Sequence, residues 1–442
     1  MNAEAVRIPR ARLCVVVAAA VVCAALLWLA RTYTFYFDEW SFILTAPDWT
    51  WKTFFEPHNE HPSILLRAVY VAMLSTAGLR TYVPYMAVLL ALHLTNVVLL
   101  FEVVRRRAGD LIGIAAAAVL LVLGAGWEDI LWAFQIGWLA SSALGLAMLL
   151  ALMGAPSRGR LMLAASLLTA SLMFSGIGLV FGVMAGVFLA LSPGRRRDMA
   201  WFVPTAVLLA AWYVAFGRFG THPNPQPTAA NVLLVPLYAV WGLSQSSAAL
   251  IGETGWVGAP LLVAAVAVLA WTWSRRRPDA MAVSVAAGLV AFYVITGLTR
   301  AQLGYEQAGA PRYSYIGAIP WLILLGDAAR GLPWRGTWRP AIVAGVFLIC
   351  FNSGVLLISY AAARTVLTER QVADLQALAS VRGDPCLKPA GSVDLLVMPV
   401  ETDPALYYRA IDRFGDPTAD LPVTDHADYE RGRSNLLSGG CS

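Results

Sequence analysis

Long apolar runs separated by short polar loops dominate the sequence and predict its secondary structure. Most of these runs approach the roughly 20 residues with which a helix crosses the hydrocarbon core of a bilayer. The runs lie at about 14–30, 82–104, 110–126, 133–154, 161–174, 176–192, 199–216, 255–273, 280–298, 313–328 and 340–360. The pattern predicts an all-α polytopic membrane protein with about eleven transmembrane helices.

Arginine clusters lie between the apolar runs and predict their orientation. The clusters are Arg7 with Arg10 and Arg12, Arg105–Arg107, Arg158 with Arg160, Arg195–Arg197, Arg275–Arg277, and Arg330 with Arg335 and Arg339. Cytoplasmic loops are enriched in lysine and arginine, and one topology places all of these clusters in the cytoplasm. We therefore expect a multi-pass plasma-membrane protein with a cytoplasmic N-terminus and an extracytoplasmic C-terminus.

Two other apolar segments do not fit that topology as single spans. Counting 63–79 as a span would invert every later loop, and its Arg67 is tolerated more readily at the membrane surface than in mid-bilayer. We therefore expect a first external loop at 31–81 that contains an interfacial helix at 63–79. The segment 231–251 is interrupted by Pro236 and is interpreted as a second external, partly interfacial element. The alternative is a span that pairs with an additional one.

The composition becomes polar and charged after Tyr360, which predicts a change of domain. We expect a transmembrane domain at 1–360 and an external C-terminal region at 361–442. An amphipathic pattern predicts a helix at 365–380, and the apolar stretch 393–398 predicts a short buried strand. Together these elements predict a small external α/β region.

The positions of the cysteines agree with the predicted orientation in the membrane. Cys14, Cys23 and Cys350 lie in or beside apolar runs, where a small polarizable side chain is ordinary packing. Cys386 and Cys441 both lie in the external region, where an oxidising compartment favours a disulfide between them. The cysteine spacing is not that of a zinc site.

The overall composition excludes a soluble protein. Hydrophobic residues make up 59% of the chain and charged residues 13%, whereas about a quarter of the residues of soluble proteins are charged. The net charge of +5 does not indicate a nucleic-acid partner, because the arginines concentrate in short interhelical loops. Membrane lipids are the expected surroundings.

Polar side chains nevertheless collect on the predicted external face. Asp38 and Glu39 open the first external loop, and Glu128 and Asp129 lie in the second. Flanking aromatic residues partly desolvate the Asp38-Glu39 pair, which raises the basicity of a carboxylate. For Glu128 and Asp129, a solvated position at a helix end is the common alternative.

The cluster His58-Asn59-Glu60-His61 lies in the same external loop. Two imidazoles and a carboxylate are a workable set of ligands for a divalent metal ion, so His58, Glu60 and His61 are metal candidates. Bracketing prolines favour a turn over a helix here, which weakens the metal interpretation. Binding of the donor or acceptor and a solvated loop are the two alternatives.

Arg312, followed by Tyr313, is the best candidate for binding a phosphate. It begins an apolar run on the predicted external face, so the enrichment of arginine in the cytoplasm does not explain it. A guanidinium group binds phosphate through paired hydrogen bonds. The alternative is that Arg312 extends to phospholipid headgroups.

This order of elements resembles the GT-C superfamily of integral-membrane glycosyltransferases. The resemblance covers nearly the whole architecture: a first span, an external loop opening with Asp38-Glu39, the proline-bounded His58–His61 element, an interfacial helix, many further spans and an external tail. The Asn-Glu-His and Arg-Tyr elements are similar to those of actinobacterial members.

The resemblance implies a function as well as a fold. It implies transfer of a sugar from a polyprenyl-phosphate donor, with inversion, to an extracytoplasmic acceptor such as a cell-envelope glycan, a lipid or a protein. Asp38 matches the first-loop aspartate that is essential in that superfamily. Such chemistry needs a base for the acceptor hydroxyl and a cation for the phosphate. Asp38 and Arg312 suit these roles, with Glu39 or a histidine of the cluster orienting the acceptor.

Two other classes of protein remain as alternatives. A transporter or lipid flippase also places charged residues near helix ends, although such proteins usually concentrate them at the bilayer midplane. A non-catalytic envelope-assembly protein would use the external tail as a binding module. The sequence does not specify the sugar, the acceptor or any dependence on a metal ion.

Overall fold

The computed structural model describes residues 2–219, 228–395, 397–398 and 403–438, which are mostly helical. The helices of the first part of the chain are α1 (Ala11–Leu29), α2 (Asp38–Thr45), α3 (Trp51–Phe55), α4 (Ile64–Thr76), α5 (Val83–Ala108), α6 (Asp110–Leu121), α7 (Glu128–Leu131), α8 (Ile136–Leu152) and α9 (Arg158–Phe174). Those of the second part are α10 (Gly178–Leu191), α11 (Val203–Ala215), α12 (Ala229–Ala249), α13 (Gly258–Arg275), α14 (Ala280–Arg300), α15 (Pro311–Ala328), α16 (Trp338–Ser380), α17 (Pro404–Phe414) and α18 (His426–Leu436). Strands β1 (Pro57–His58) and β2 (His61–Pro62) form one antiparallel hairpin.

The chain is a multi-pass membrane protein. Each of the apolar runs in the sequence contains a helix, which confirms the predicted all-α architecture. Within the described residues, 8 helices are long and apolar enough to cross a bilayer, and α12 is one of them. Other apolar helices, such as α6 and α10, are shorter.

Ion pairs identify the two ends of the helix bundle. At one end, which we call the basic end, Arg107 of α5 lies 3.0 Å from both Asp279 and Asp327, so that α5, α14 and α15 meet there. The N-terminal segment lies at the same end, because the Ala3 N–H donates to the Leu332 carbonyl. At the opposite end, which we call the site end, Arg312 at the start of α15 lies 2.8 Å from Glu128.

The basic end includes a sharp break between α5 and α6. Gly109 separates them with a φ of +91°, and a Cβ at this position would lie 2.4 Å from the Glu4 carbonyl oxygen. A conformation of this kind favours glycine, which has no Cβ. The break reverses the chain within one residue, so α6 returns along α5 toward the site end.

Helix α12 lies across the site-end half of the bundle. Asn231 contacts Gln302 just after α14, Trp241 packs on Tyr305 with ring centroids 5.4 Å apart, and the Ile251 carbonyl accepts from Asn352 at 2.7 Å. These contacts keep the helix near one end of α14 and α15. Because α12 is long and apolar enough for a span, the external, partly interfacial position of 231–251 stays a prediction beside the alternative of a span.

The predicted domain boundary at 360/361 falls within α16, which continues without a break from Trp338 to Ser380. Helix α18 packs on the last part of α16, where Arg431 binds Asp374 at 3.0 Å and Asp394 at 3.0 Å. The prediction of a strand at 393–398 is wrong, because the described residues of this stretch form turns and bends. Val393 and Val397 are buried there, so the apolar pattern reflects burial without strand pairing.

Candidate functional site

A polar cavity of about 140 Å³ lies at the site end. It brings together the first external loop, the segment after α6, the turn after α9 and the ends of α14 and α15. Its lining residues are Tyr36, Phe37, Asp38, His58, Asn59, His61, Ser63, Leu66, Trp127, Glu128, Trp132, Phe134, Gln135, Trp138, Phe174, Ser175, Arg300 and Arg312. One cavity therefore contains both Asp38 and Arg312, although 274 positions of sequence separate them.

Asp38 is held at the first position of α2 by a strained turn. Phe37, which precedes it, has a φ of +53° and donates its N–H to the Val397 carbonyl at 2.9 Å. Such a conformation in a bulky residue costs on the order of 1–3 kcal/mol and persists only where surrounding contacts impose it. The C-terminal region thus fixes the start of the helix that carries Asp38.

The environment of Asp38 suits a general base. Burial raises its pKa to about 6, and the positive charges of Arg312 and Arg300 oppose the shift. Asp38 forms no ion pair with any described residue. A carboxylate of this kind is ionised at neutral pH and more basic than an exposed one.

Glu39 has a different environment from its neighbour. Its carboxylate accepts hydrogen bonds from the Tyr36 N–H at 2.8 Å, the Tyr70 hydroxyl at 3.0 Å and the Tyr82 hydroxyl at 2.9 Å. Burial raises its pKa to about 7, against the effect of these donors. Glu39 is completely buried and does not line the cavity, in contrast to the catalytic position suggested by the sequence.

The His58–His61 cluster forms the turn of the hairpin. Asn59 occupies the turn with a φ of +52°, a conformation that asparagine tolerates better than most residues. Both His58 and His61 line the cavity, and burial lowers the pKa of His58 to about 3 and that of His61 to about 4. Both imidazoles are therefore neutral at physiological pH.

The donor set does not fit a metal site. Glu60 is bound to Arg300, and the His58 ring packs between the rings of Phe42 and Phe134 at 5.1 and 5.2 Å. Within the part of the chain that the structure describes, no group of three or more His, Cys, Asp or Glu side chains is arranged to hold a metal ion. We therefore assign no chemical step to a metal.

Two arginines line the cavity, and each is paired with a carboxylate. Arg312 lies 2.8 Å from Glu128, and Arg300 lies 2.8 Å from Glu60. Sequence reasoning singled out Arg312 but missed Arg300. The same signal applies to both, because Arg300 ends the apolar run 280–298 at the predicted external side, where arginine is not favoured statistically.

Neither Asp129 nor Tyr313 lines this cavity, although Tyr313 lines a second cavity beside it. Asp129 is completely buried, and neither of its carboxylate oxygens has a hydrogen-bond partner among the described residues. Burial raises its pKa well above the ordinary value. Tyr313 is also buried, and its ring packs on Trp138 with centroids 5.6 Å apart. Asp129 is thus placed away from the cavity that the sequence suggested it would face, whereas Glu128 lies in its wall.

A second, largely apolar cavity adjoins the polar one. It has a volume of about 480 Å³ and is formed mainly by α9, α10, α11 and α14. Three residues, His61, Trp138 and Arg300, line both cavities. An amphiphile with an anionic head would therefore find arginines next to its head and apolar side chains along its tail.

The structure describes only one of the two cysteines of the predicted disulfide. Cys386 is disulfide-bonded, whereas Cys14, Cys23 and Cys350 are free. Cys441 lies outside the described residues, so its pairing with Cys386 stays a prediction.

Comparison with known proteins identifies the fold. The crystal structure of ArnT from Cupriavidus metallidurans in the apo state is similar to this chain with a TM-score of 0.50 at 14% identity, covering 85% of this chain and 80% of that one. The structure of the same protein bound to undecaprenyl phosphate aligns with a TM-score of 0.47 at 15% identity, covering 95% and 77%. No family model matches the sequence, and no curated protein matches it. The chain thus has an ArnT-like GT-C fold, as its sequence predicted.

Proposed function

We propose that this protein is a membrane glycosyltransferase that moves a sugar from a polyprenyl-phosphate donor to an extracytoplasmic acceptor, a cell-envelope glycan or lipid. The observation that carries the proposal is the junction of the two cavities. Asp38, whose carboxylate forms no ion pair with any described residue, shares the polar cavity with Arg300 and Arg312, and Arg300 also lines the apolar cavity. A sugar that is linked through a phosphate to a lipid matches this arrangement: the sugar would lie near Asp38, the phosphate near the arginines and the lipid chain in the apolar cavity.

The reaction follows from the positions of these side chains. Asp38 accepts the proton of the acceptor hydroxyl as its oxygen attacks the anomeric carbon of the sugar. The bond between that carbon and the phosphate oxygen breaks, and the lipid phosphate leaves with the electron pair. Arg312 and Arg300 stabilise the charge that develops on the departing phosphate. A single displacement of this kind inverts the anomeric configuration.

The apolar cavity supplies the remaining requirement, a place for the prenyl chain. Burying each methylene of such a chain contributes about 0.8 kcal/mol. Leu172, Leu209 and Phe292 are among the side chains that the chain would contact. These contacts are the same before and after transfer, so they increase the affinity for the donor without accelerating the reaction. The arginines accelerate the chemical step, because the charge that they stabilise develops during transfer.

The orientation is part of the proposal. Arginines of several clusters lie at the basic end, where Arg12 pairs with Glu102 of α5, and Arg276 and Arg330 pair with Asp327. The positive-inside tendency assigns this end to the cytoplasm. The site end and the C-terminal region then face the extracytoplasmic side. The similarity of the His58–His61 and Arg312-Tyr313 elements to actinobacterial members supports an actinobacterial-type enzyme.

The test is a transfer assay with purified full-length protein in nanodiscs. Farnesyl phosphate esters of several sugars serve as donors, a membrane extract serves as the acceptor source, and released farnesyl phosphate is measured. We expect release by the wild type, and loss of farnesyl phosphate affinity in Arg312→Ala. The matched control is Arg158→Ala, because Arg158 is exposed at the start of α9, away from both cavities.

The outcomes distinguish the proposal from its rivals. Movement of intact donor across the membrane without release of farnesyl phosphate would favour a flippase. Absence of both binding and release would favour an assembly protein. Equal farnesyl phosphate affinity in Arg312→Ala and the wild type would reject the phosphate-binding role of Arg312.

A further inference from the structure

The C-terminal region contacts both ends of α2, the short helix that begins with Asp38. At the start of the helix, the Phe37 N–H donates to the Val397 carbonyl at 2.9 Å. Beyond its end, Arg409 of α17 lies 3.0 Å from Asp48. The position of α2 therefore depends on contacts from the opposite end of the chain.

Val397 belongs to a buried turn that closes on the backbone of Asp394. The Val397 N–H donates to the Asp394 carbonyl at 3.0 Å, and the Met398 N–H donates to the same carbonyl at 2.9 Å. Val397 and Met398 are buried. We call the segment formed by Asp394, Val397 and Met398 the Asp394 turn. Its position sets the position of the carbonyl that accepts from Phe37.

The side chain of Asp394 joins this turn to two helices. Its carboxylate accepts from Arg370 Nη2 of α16 at 2.7 Å and lies 3.0 Å from Arg431 Nη2 of α18. Arg431 Nη2 also lies 3.0 Å from Asp374 and 2.9 Å from Asp428. Hydrogen bonds between ionised groups are shorter and stronger than those between neutral groups. The cluster of three carboxylates and two guanidinium groups therefore holds the Asp394 turn against α16 and α18.

We propose that Asp394 is a positioning residue for the transfer reaction. It lines neither the polar nor the apolar cavity and acts on Asp38 through the hydrogen bond between Phe37 and Val397. This inference rests on the proposed function and specifies what holds the base of the same site.

The strained backbone at Phe37 explains why a distant carboxylate affects the base. The φ of +53° at Phe37 persists only where surrounding contacts impose it. Without the Asp394 carboxylate, the turn loses its links to both arginines and the Val397 carbonyl moves. Phe37 then relaxes toward a negative φ, which turns Asp38 away from its position in the cavity. A displacement of about 1 Å in a reacting group lowers a rate by about 10²-fold.

The first experiment separates the rate of transfer from the affinity for the lipid phosphate. Full-length Asp394→Ala in nanodiscs should show a kcat at least about tenfold below that of the wild type. Its affinity for farnesyl phosphate should be unchanged, because Arg300 and Arg312 lie on other elements. Asp394→Asn keeps one acceptor oxygen for Arg370 and should recover part of the rate. A wild-type kcat in Asp394→Ala, or equal losses of kcat and affinity, would overturn the positioning role.

The matched control is Asp412→Ala. Asp412 is also an aspartate of the C-terminal region, and it pairs with Arg382 through hydrogen bonds of 2.7 and 2.8 Å. This ion pair is exposed and does not include the Asp394 turn. The control should therefore keep the kcat of the wild type, and a loss as large as that of Asp394→Ala would overturn the assignment to Asp394.

The second experiment measures hydrogen exchange in the protein without substrate. The Phe37 N–H is hydrogen-bonded, so the peptide 33–40 should exchange slowly in the wild type. Asp394→Ala should speed exchange in this peptide about tenfold or more and leave the buried helix α8 unchanged, whereas Asp412→Ala should change neither. Unchanged protection of the peptide in Asp394→Ala, or faster exchange throughout the bundle, would overturn the proposal.

The two experiments distinguish failure of this inference from failure of the proposed function. If the wild type transfers sugar and Asp394→Ala keeps both its rate and its protection at 33–40, the positioning role is overturned while the proposed function stands. If the wild type transfers no sugar, the proposed function fails. Hydrogen exchange then still decides whether Asp394 holds the turn at Phe37.

Discussion

Arg300 Nη2 donates to Glu60 Oε2 at 2.8 Å, and this ion pair lies where the polar and apolar cavities meet. It ties the turn of the hairpin to the end of α14. The guanidinium that a lipid phosphate would meet first is therefore neutralised by a carboxylate of the same chain. A phosphate bound here would compete with Glu60 for Arg300.

Glu60→Gln should tighten phosphate binding. The change removes the competing charge and keeps the size of the side chain, so the affinity for farnesyl phosphate should rise about threefold, in keeping with a partly exposed ion pair. The measurement is a titration at constant ionic strength. Glu56→Gln is the control, because Glu56 is an exposed acid of the same loop. Unchanged or weaker binding in Glu60→Gln would show that Glu60 does not compete with the phosphate.

Asp38→Asn should abolish most of the transfer without abolishing donor binding. An amide cannot accept the proton of the acceptor hydroxyl, and loss of a general base lowers a rate by about 10²–10⁴-fold. The measurement compares the rate of farnesyl phosphate release with the affinity for the donor in the same preparation. A rate within a fewfold of the wild type would remove Asp38 from the reaction.

The rate should depend on pH through Asp38. A base acts in its ionised form, and burial raises the pKa of Asp38 to about 6. We therefore expect kcat/KM to be constant at alkaline pH and to fall as the pH drops through about 6. His58 and His61 titrate near 3 and 4, too low to cause this inflection. The residual rate of Asp38→Asn should lack it, and an inflection that persists in that variant would assign it to another group.

Glu39→Ala should affect stability more than chemistry. It leaves the Tyr36 N–H and the hydroxyls of Tyr70 and Tyr82 without their buried acceptor, at a cost on the order of 3 kcal/mol. The measurement is denaturant unfolding in detergent, beside the rate per folded molecule. Glu39→Gln retains an acceptor and should recover part of the stability. A loss of rate as large as that of Asp38→Asn, with unchanged stability, would contradict the assignment.

Asp129→Asn should stabilise the protein, and increasingly so at higher pH. Burial raises the pKa of Asp129, so the unfolded chain releases this proton at a lower pH than the folded chain does. The neutral Asp129 carboxyl group makes its full contribution to the free energy of unfolding below the ordinary pKa of aspartate. That contribution is lost as the pH rises toward the raised pKa of the folded state. Asparagine does not ionise and avoids this loss. Thermal unfolding at about pH 5 and about pH 8 tests the expectation, and an advantage that shrinks with rising pH would contradict it.

The sequence by itself determined the membrane architecture and singled out Asp38 and Arg312 as candidate site residues. Hydrophobic burial in a bilayer is a property of each segment taken alone, so the apolar runs predict helices without knowledge of their neighbours. The positive-inside tendency is likewise local to each loop. The continuous α16 shows the limit of such reasoning, because a change from apolar to polar composition changes the surroundings of a helix without ending it.

The tertiary structure alone decided where each polar residue lies and which groups it contacts. Asp38 and Glu39 are adjacent and chemically similar, but the turn at Phe37 directs one to the cavity and leaves the other among tyrosine hydroxyls. Glu60 and Arg300 pair across 240 positions of sequence. Contacts of this kind depend on how distant helices pack, and the energy of a buried charge depends on those neighbours. The sequence therefore shows which residues are chemically unusual, and only the packing shows which of them share a cavity.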